Sequence, residues 1–277
     1  MKHKKLLLSA AGAAALTAAF WHGLTERHYE ISTSKLEAGE SVRIVHLSDL
    51  HSCRYGENQE TLIRRIRHSN PDLIVMTGDM FDDRRPSYPA MCTARRAARL
   101  APCFYVTGNH EYRNPDYEVP RLKNDLLRAG VLPLAGDCQI CSVRGHRLAV
   151  CGTDDFEGVG MRAARRQIAA CAAQVASYGD PDLISLMLIH RPTPPALFLP
   201  YGFDLAFSGH AHGGQIRIPG LMNGLAAPNQ YFFPPYAGGL YNHSQTTHIV
   251  SRGLSRFLRM PRFFDPPELV IVDLKGS

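Results

Sequence analysis

A chain of 277 residues with 45% hydrophobic side chains can fill the core of one large domain, which excludes an intrinsically disordered polypeptide. Its formal charge of +6 is modest, and its basic clusters carry no interleaved aromatics, so no nucleic-acid partner is expected. Seven cysteines, an odd number without regular spacing, make a poor disulfide framework.

The first element is a targeting segment. Met1 to Lys5 is basic, and Leu6 to Trp21 is an uncharged run of 16 residues. That order matches the basic and apolar regions of a signal peptide, and the run is slightly short for a spanning helix. Trp21 could instead anchor an uncleaved helix at a membrane interface. Residues 1–30 therefore read as a signal peptide or N-terminal membrane anchor, and residues 31–277 as the functional domain. Positive charge ahead of the run predicts a domain outside the cytoplasm, exported or held at the cell membrane.

Past that segment, apolar runs and helical patterns alternate. Val42 to Leu47, Leu73 to Thr77, Phe104 to Thr107, Leu183 to Ile189 and Leu205 to Ser208 read as buried strands. Gln59 to His68, Pro89 to Leu100, Tyr117 to Ala129 and Met161 to Ser177 are helix candidates. Gln139 to Val143 and Arg147 to Cys151 flank a turn and predict a hairpin, and Thr247 to Ser251 and Leu269 to Leu274 return to strands. The fold class is α/β.

Each of the five buried strands stops at a segment rich in Asp, His or Asn. These are Asp49-Leu50-His51, Gly78-Asp79 with Asp82, Gly108-Asn109-His110-Glu111, His190, and Gly209-His210-Ala211-His212. Parallel strands place such loops on one sheet edge, where ligands bind in open α/β sheets. The donors are oxygens from Asp49, Asp79 and Asn109 and imidazoles from His51, His190, His210 and His212. A mixed nitrogen and oxygen set without thiolate suits divalent Mn, Fe or Zn. Residues i and i+2 of an extended segment share a face, so Asp49/His51 and His210/His212 can each reach one ion or two neighbouring ones. Two ions bridged by a carboxylate form a clamp for displacement at phosphorus. Glycines at 78, 108 and 209 allow a sharp exit from each strand. Asp154-Asp155 is ambiguous between another loop at this edge and a turn-forming acidic pair, the latter favoured.

The ordered series D-x-H, G-D-x-x-D, G-N-H-E, H and G-H-x-H resembles the calcineurin-like metallophosphoesterase family without a substitution. The likeness covers roughly residues 41–274 and extends, through Ser251 to Leu254 and Pro266 to Leu269, to a bacterial subgroup with an N-terminal export or anchor segment. It implies a metallophosphoesterase-like sandwich of two mixed β-sheets flanked by α-helices. Carried over residue by residue, it implies one ion held by Asp49, His51, Asp79 and His212 and a second held by Asp79, Asn109, His190 and His210. His110 corresponds to the catalytic histidine that contacts the phosphoryl oxygen, and Asp82 and Glu111 to supporting residues. Water activated by the two cations would be the nucleophile.

The function this implies is a dinuclear metal-dependent phosphoesterase. A phosphodiester or pyrophosphate in a lipid or cell-envelope molecule is the favoured substrate, inferred from the N-terminus and an aromatic loop. That loop follows the His-x-His pair and runs through Leu221, Met222 and Tyr231-Phe232-Phe233 to Tyr236, with a second cluster at Phe257, Leu258, Met260, Phe263 and Phe264. Packing of both clusters on the domain's own core is the reading favoured for these residues by themselves. The second functional reading is a nucleotide or small phosphomonoester hydrolase. A non-catalytic scaffold is disfavoured because it has no need of seven donors, and a thiol redox role for Cys138 and Cys141 lacks its βαβ context. Both of those cysteines are expected to pack as thiols.

Overall fold

Val42 and Ile44 enter one apolar cluster while Val45 and Leu47 enter another, so this strand is buried on both faces. The same split recurs at Leu73/Val75 against Ile74/Met76, and at Leu148/Val150 against Ala149/Cys151. Period-two alternation with apolar residues at every position is what a layered sandwich requires. The computed structural model describes residues 17, 19–115, 117–256 and 261–277. Of the expected N-terminal signal or anchor, residues 1–16 and 18 lie outside them, as do Phe257, Leu258 and Met260, while residues 25–30 belong to a strand. Among the described residues no helix is long and apolar enough to cross a membrane.

In chain order the strands are β1 (Thr25–Thr33), β2 (Ser41–Leu47), β3 (Leu73–Thr77), β4 (Cys103–Val106), β5 (Val131–Pro133), β6 (Asp137–Val143) and β7 (His146–Gly152). They continue with β8 (Ile184–Leu188), β9 (Leu205–Ser208), β10 (Ala226–Ala227), β11 (Tyr231–Phe232), β12 (Gly239–Asn242), β13 (Thr247–Val250) and β14 (Glu268–Gly276). One six-stranded sheet has the order β1-β14-β2-β3-β4-β5 and the other β12-β13-β9-β8-β7-β6. The central strands β2 to β5, and likewise β7, β8, β9 and β13, are parallel. Antiparallel pairs β14–β2, β12–β13 and β6–β7 make both sheets mixed, as the resemblance implied.

The cluster between the sheets contains Ile44, Val75, Phe104, Val106, Leu186 and Phe207. Helices Glu60–His68, Tyr88–Ala97 and Val119–Arg128 bury Leu62, Ile66, Ala94 and Leu126 on the outer face of the first sheet. Helix Met161–Ser177 buries Ile168 and Cys171 on the outer face of the second. Strands β3 and β9 and helix Met161–Ser177 have the boundaries expected from sequence. Strand β1 carried no such signal. Its residues are mostly polar, and it is held at the sheet edge by parallel pairing with β14 along its whole length.

One expectation is corrected. Cys138 does not pack as a free thiol; it forms a disulfide with Cys151. The hairpin register sets those two residues directly opposite each other in the β6–β7 ladder, a relation that cysteine spacing does not reveal.

At the end of the sandwich where β2 and β9 stop, Ser251–Leu254 binds the sheets together. Ser251 N–H donates to Ser208 O (2.8 Å), Leu254 N–H to Ser48 O (2.9 Å) and Glu268 N–H to Gly253 O (3.1 Å). Between them the buried Arg252 Nη1 donates to Glu268 Oε2 at 2.8 Å, and Arg252 N–H to Glu268 Oε1 at 2.9 Å. Removing one member of such a pair strands the other charge without water. Glu268→Ala is therefore expected to lower unfolding free energy by about 3–5 kcal/mol in urea titration. A loss below about 1 kcal/mol would show that the pair contributes little.

Candidate metal centre

The five segments read from the sequence converge. Asp49, His51, Asp79 and His212 present one donor atom each within 4.8 Å of one another, and Asp79, His190 and His210 do the same. Asp79 is common to both groups. All six are buried, as is Asn109, whose Oδ1 has no hydrogen-bond partner. Asp79 Oδ1 accepts from His110 N–H (2.8 Å), while Oδ2 faces His190 Nε2 at 3.3 Å and His51 Nε2 at 3.6 Å. Asp49 accepts from Ser48 Oγ at 2.6 Å and from His210 N–H at 3.0 Å.

Local backbone geometry aims these side chains. Asp49, His51, Asp79, His210 and His212 all have φ between 46° and 66°, the left-handed region that side chains rarely adopt. Each such residue costs roughly 1–3 kcal/mol, and clusters of them mark functional sites. Glycine freedom is used differently at the neighbouring positions. Gly78 has φ 83°, whereas at Gly209 a side chain would collide with Ser48 Oγ and the Asp49 carboxylate. Glu111 holds two loops together by accepting from Asp79 N–H (3.0 Å), Phe81 N–H (3.1 Å) and Gly108 N–H (2.7 Å).

The imidazoles are oriented from behind. His190 Nδ1 lies 2.7 Å from the Thr77 carbonyl, which must receive its proton and leaves Nε2 facing Asp79. His51 Nδ1 lies 3.2 Å from Asp82 Oδ2, and its Nε2, facing Asp79, has no hydrogen-bond partner. His210 Nε2 lies 2.9 Å from Asn229 Oδ1, which leaves Nδ1 toward His190. Outer partners of this kind fix tautomer and ring orientation in metal-ligating histidines. Lone pairs aimed inward, buried carboxylates and the unpaired Asn109 oxygen together fit a divalent cation site.

The electrostatics agree. Burial opposes ionisation of Asp79, but the facing His190 holds its carboxyl well below the usual range. Burial likewise opposes charge on His190, yet the Asp79 charge and hydrogen bond raise it to about 10. The buried Glu111 is pushed up to about 7 by desolvation and by Asp79. Buried negative charge in this cluster thus attracts positive charge from protons or metal. His110 lies at the rim, its side chain 24% exposed, with Nε2 4.0 Å from Asp79 Oδ2 and Nδ1 3.3 Å from Asp83 Oδ1. Burial lowers its pKa, which favours the neutral ring.

Three residues beside the site were not singled out by sequence. Arg191 is clamped by Asp155 (Nε to Oδ2, 2.7 Å) and Glu157 (Nη2 to Oε2, 2.6 Å), and its Nη1 donates to Asn229 Oδ1 at 2.5 Å. Asp155 also accepts from Glu157 N–H at 2.9 Å. Its loop is therefore both a turn and another loop at the metal edge. Position next to His190 was the available signal for Arg191; nothing in the sequence pointed to Asn229. Cys53 is buried against Ser255 and Arg85 and belongs to neither donor group.

The sequence pattern of the calcineurin-like phosphoesterase family matches residues 42–214, from β2 through the His-x-His pair. The chain belongs to this family. It is 29% identical over 274 residues to the metallophosphoesterase YkuE of Bacillus subtilis, covering 92% of this chain and 87% of that protein. A metallophosphoesterase of Aquifex aeolicus is 30% identical, with 90% and 91% covered. Among solved structures, a dimetal phosphatase from Danio rerio shares the fold with TM-score 0.50 at 14% identity, over 76% of this chain and 87% of that one. A 5'-nucleotidase precursor from Thermus thermophilus gives TM-score 0.52 at 14% identity, over 77% and 49%. Family membership makes the chain a metal-dependent phosphoester hydrolase.

Two outcomes follow from the geometry. Gly209→Ala, by forcing the Asp49 carboxylate aside, is expected to reduce bound metal measured by elemental analysis while costing only about 1–3 kcal/mol of stability. A cation taken up beside Asp79 competes with the His190 proton. Its affinity should therefore rise about tenfold per pH unit from neutrality toward about 10, with a proton released. Calorimetry in buffers of different ionisation enthalpy reads that proton, and a pH-independent affinity would exclude the competition.

Proposed function

We propose that this protein is a dinuclear metal-dependent phosphoesterase that hydrolyses a phosphodiester or pyrophosphate bond in a lipid or cell-envelope substrate outside the cytoplasm. The observation that carries the two-ion reading is the buried Asp79 carboxylate shared by two donor groups. Asp49, His51, Asp79 and His212 would hold one ion, and Asp79, Asn109, His190 and His210 the other. Bound there, two cations would supply Lewis-acid polarisation of the phosphoryl oxygens and a water made acidic enough to attack near neutral pH.

The chain's own residues then do the rest. Asp82, Thr77 and Asn229 keep His51, His190 and His210 in orientation. Glu111 holds the loops bearing Asp79 and Asn109 in register. His110, at the rim, is positioned to steady charge on the phosphoryl group as the neutral ring or, once protonated, to give a proton to the leaving oxygen. The lipid or envelope class is supported by the loop that leaves the site after His212, returns at Asn229 and exposes Tyr231, Phe232 and Phe233.

Hydrolysis of a chromogenic phosphodiester and phosphomonoester with Mn²⁺, and with chelator, tests the reading. Asp79→Asn should lose both bound metal and turnover. His110→Ala should keep metal yet lose about 100-fold or more in rate. A preference for the monoester would favour the small-phosphomonoester alternative, and a folded wild type that binds no metal would sink the assignment.

A further inference from the structure

The aromatic loop has a physical context that the hydrolytic reading does not use. Backbone hydrogen bonds run in series across it. Phe264 N–H donates to Ala19 O, Phe263 N–H to Gln215 O, Arg217 N–H to Phe263 O, Leu225 N–H to Ile216 O and Phe233 N–H to Leu225 O, at 2.7 to 2.9 Å. Phe20 adds a ring contact with Phe263 at 5.3 Å between centroids. This array ties the loop to the end of the N-terminal apolar run. Leu221 (80% exposed), Tyr231 (86%), Phe232 (72%) and Phe233 (68%) project from it, with Phe20 and Trp21 also exposed. Isolated apolar residues on a surface need no explanation, but a continuous set does.

From Leu205 through Phe264 the sequence has no Asp or Glu and five arginines. Arg252 and Arg262 are buried against Glu268 and Asp265, while Arg217 and Arg256 are partly exposed. The apolar run ending at Trp21 is itself preceded by Lys2, Lys4 and Lys5. Aromatic side chains beside basic ones and no acids are the composition that seats in the headgroup region of an anionic membrane. A protein partner recognising the same face would find no acidic side chain in the segment to pair with.

We propose that the array of Phe20, Trp21, Leu221 and Tyr231–Phe233 is a docking surface for an anionic phospholipid bilayer. Its loop lies against the cleft through Asn229 and His210, so docking turns the metal site toward the membrane. The docking surface deepens the lipid-substrate reading and rests on it for that consequence, while the binding itself is measured without catalysis.

The test is hydrogen exchange on the full chain in detergent and in nanodiscs of phosphatidylcholine with phosphatidylglycerol. It is run on the wild type and on the triple variant Tyr231→Ser, Phe232→Ser, Phe233→Ser. Nanodisc protection of residues 215–236, lost in the variant while exchange over β3 stays unchanged, is the expected result. Equal exchange in both media for the wild type would overturn the proposal. So would protection in detergent that follows dimer formation in ultracentrifugation, which would make a second copy of the chain the occupant. The variant should retain turnover of the soluble diester within about twofold, and a collapse would show that the loop serves the site rather than a membrane. Protection by nanodiscs in a wild type that hydrolyses no ester would leave docking standing and remove the hydrolase reading.

Discussion

Two carboxylates, Asp49 and Asp79, are held almost without water in one small volume, and that charge is what the surrounding structure must answer. Ionised groups cannot remain buried unless opposite charge or hydrogen bonds meet them. Here Asp79 takes His110 N–H on one oxygen and faces His51 and His190 with the other, and Asp49 takes Ser48 Oγ and His210 N–H. The strained backbone at five donor residues follows from this. Sharp turns directly after β2, β3 and β9 bring these side chains to one point, and left-handed conformations provide those turns. The cost is sustained because the flanking strands and Glu111 fix the loops from outside.

That convergence also needs both sheets. Asp49, Asp79 and Asn109 follow strands of the first sheet, while His190, His210 and His212 follow strands of the second. Parallel order within each sheet places their ends together, and the Ser251–Leu254 segment joins the two edges through Ser48 and Ser208. The apolar layer between the sheets thus has a functional consequence, since sliding one sheet on the other would pull apart the donors within each group. Arg252 and Glu268, buried beside that junction, oppose such a slide by directional hydrogen bonds.

Behind the donors lies a polar layer that couples the site to its rim. Asn229 touches both His210 and Arg191, and Arg191 is fixed by Asp155 and Glu157. Asn229 belongs to the same loop as the exposed aromatics, so the orientation of one imidazole depends on a segment that also faces outward. A buried guanidinium held by two carboxylates keeps Asn229 in place behind His210.

The sequence by itself determined the α/β class, the central strands and the strand-terminal Asp, Asn and His residues that the fold gathers. Period-two burial and strand-terminal Asp and His residues are local properties, written in consecutive letters. Asp154-Asp155 was legible only as a pair with two readings, and the fold makes both true. Tertiary structure alone decided the rest. The Cys138–Cys151 disulfide depends on hairpin register, β1 on a partner more than 240 residues away, and the Asn229–His210 contact on the return of a long loop. Each is a pairing between residues whose own neighbours carry no signal of it. Whether two side chains meet depends on how whole layers stack, and no local pattern encodes that stacking.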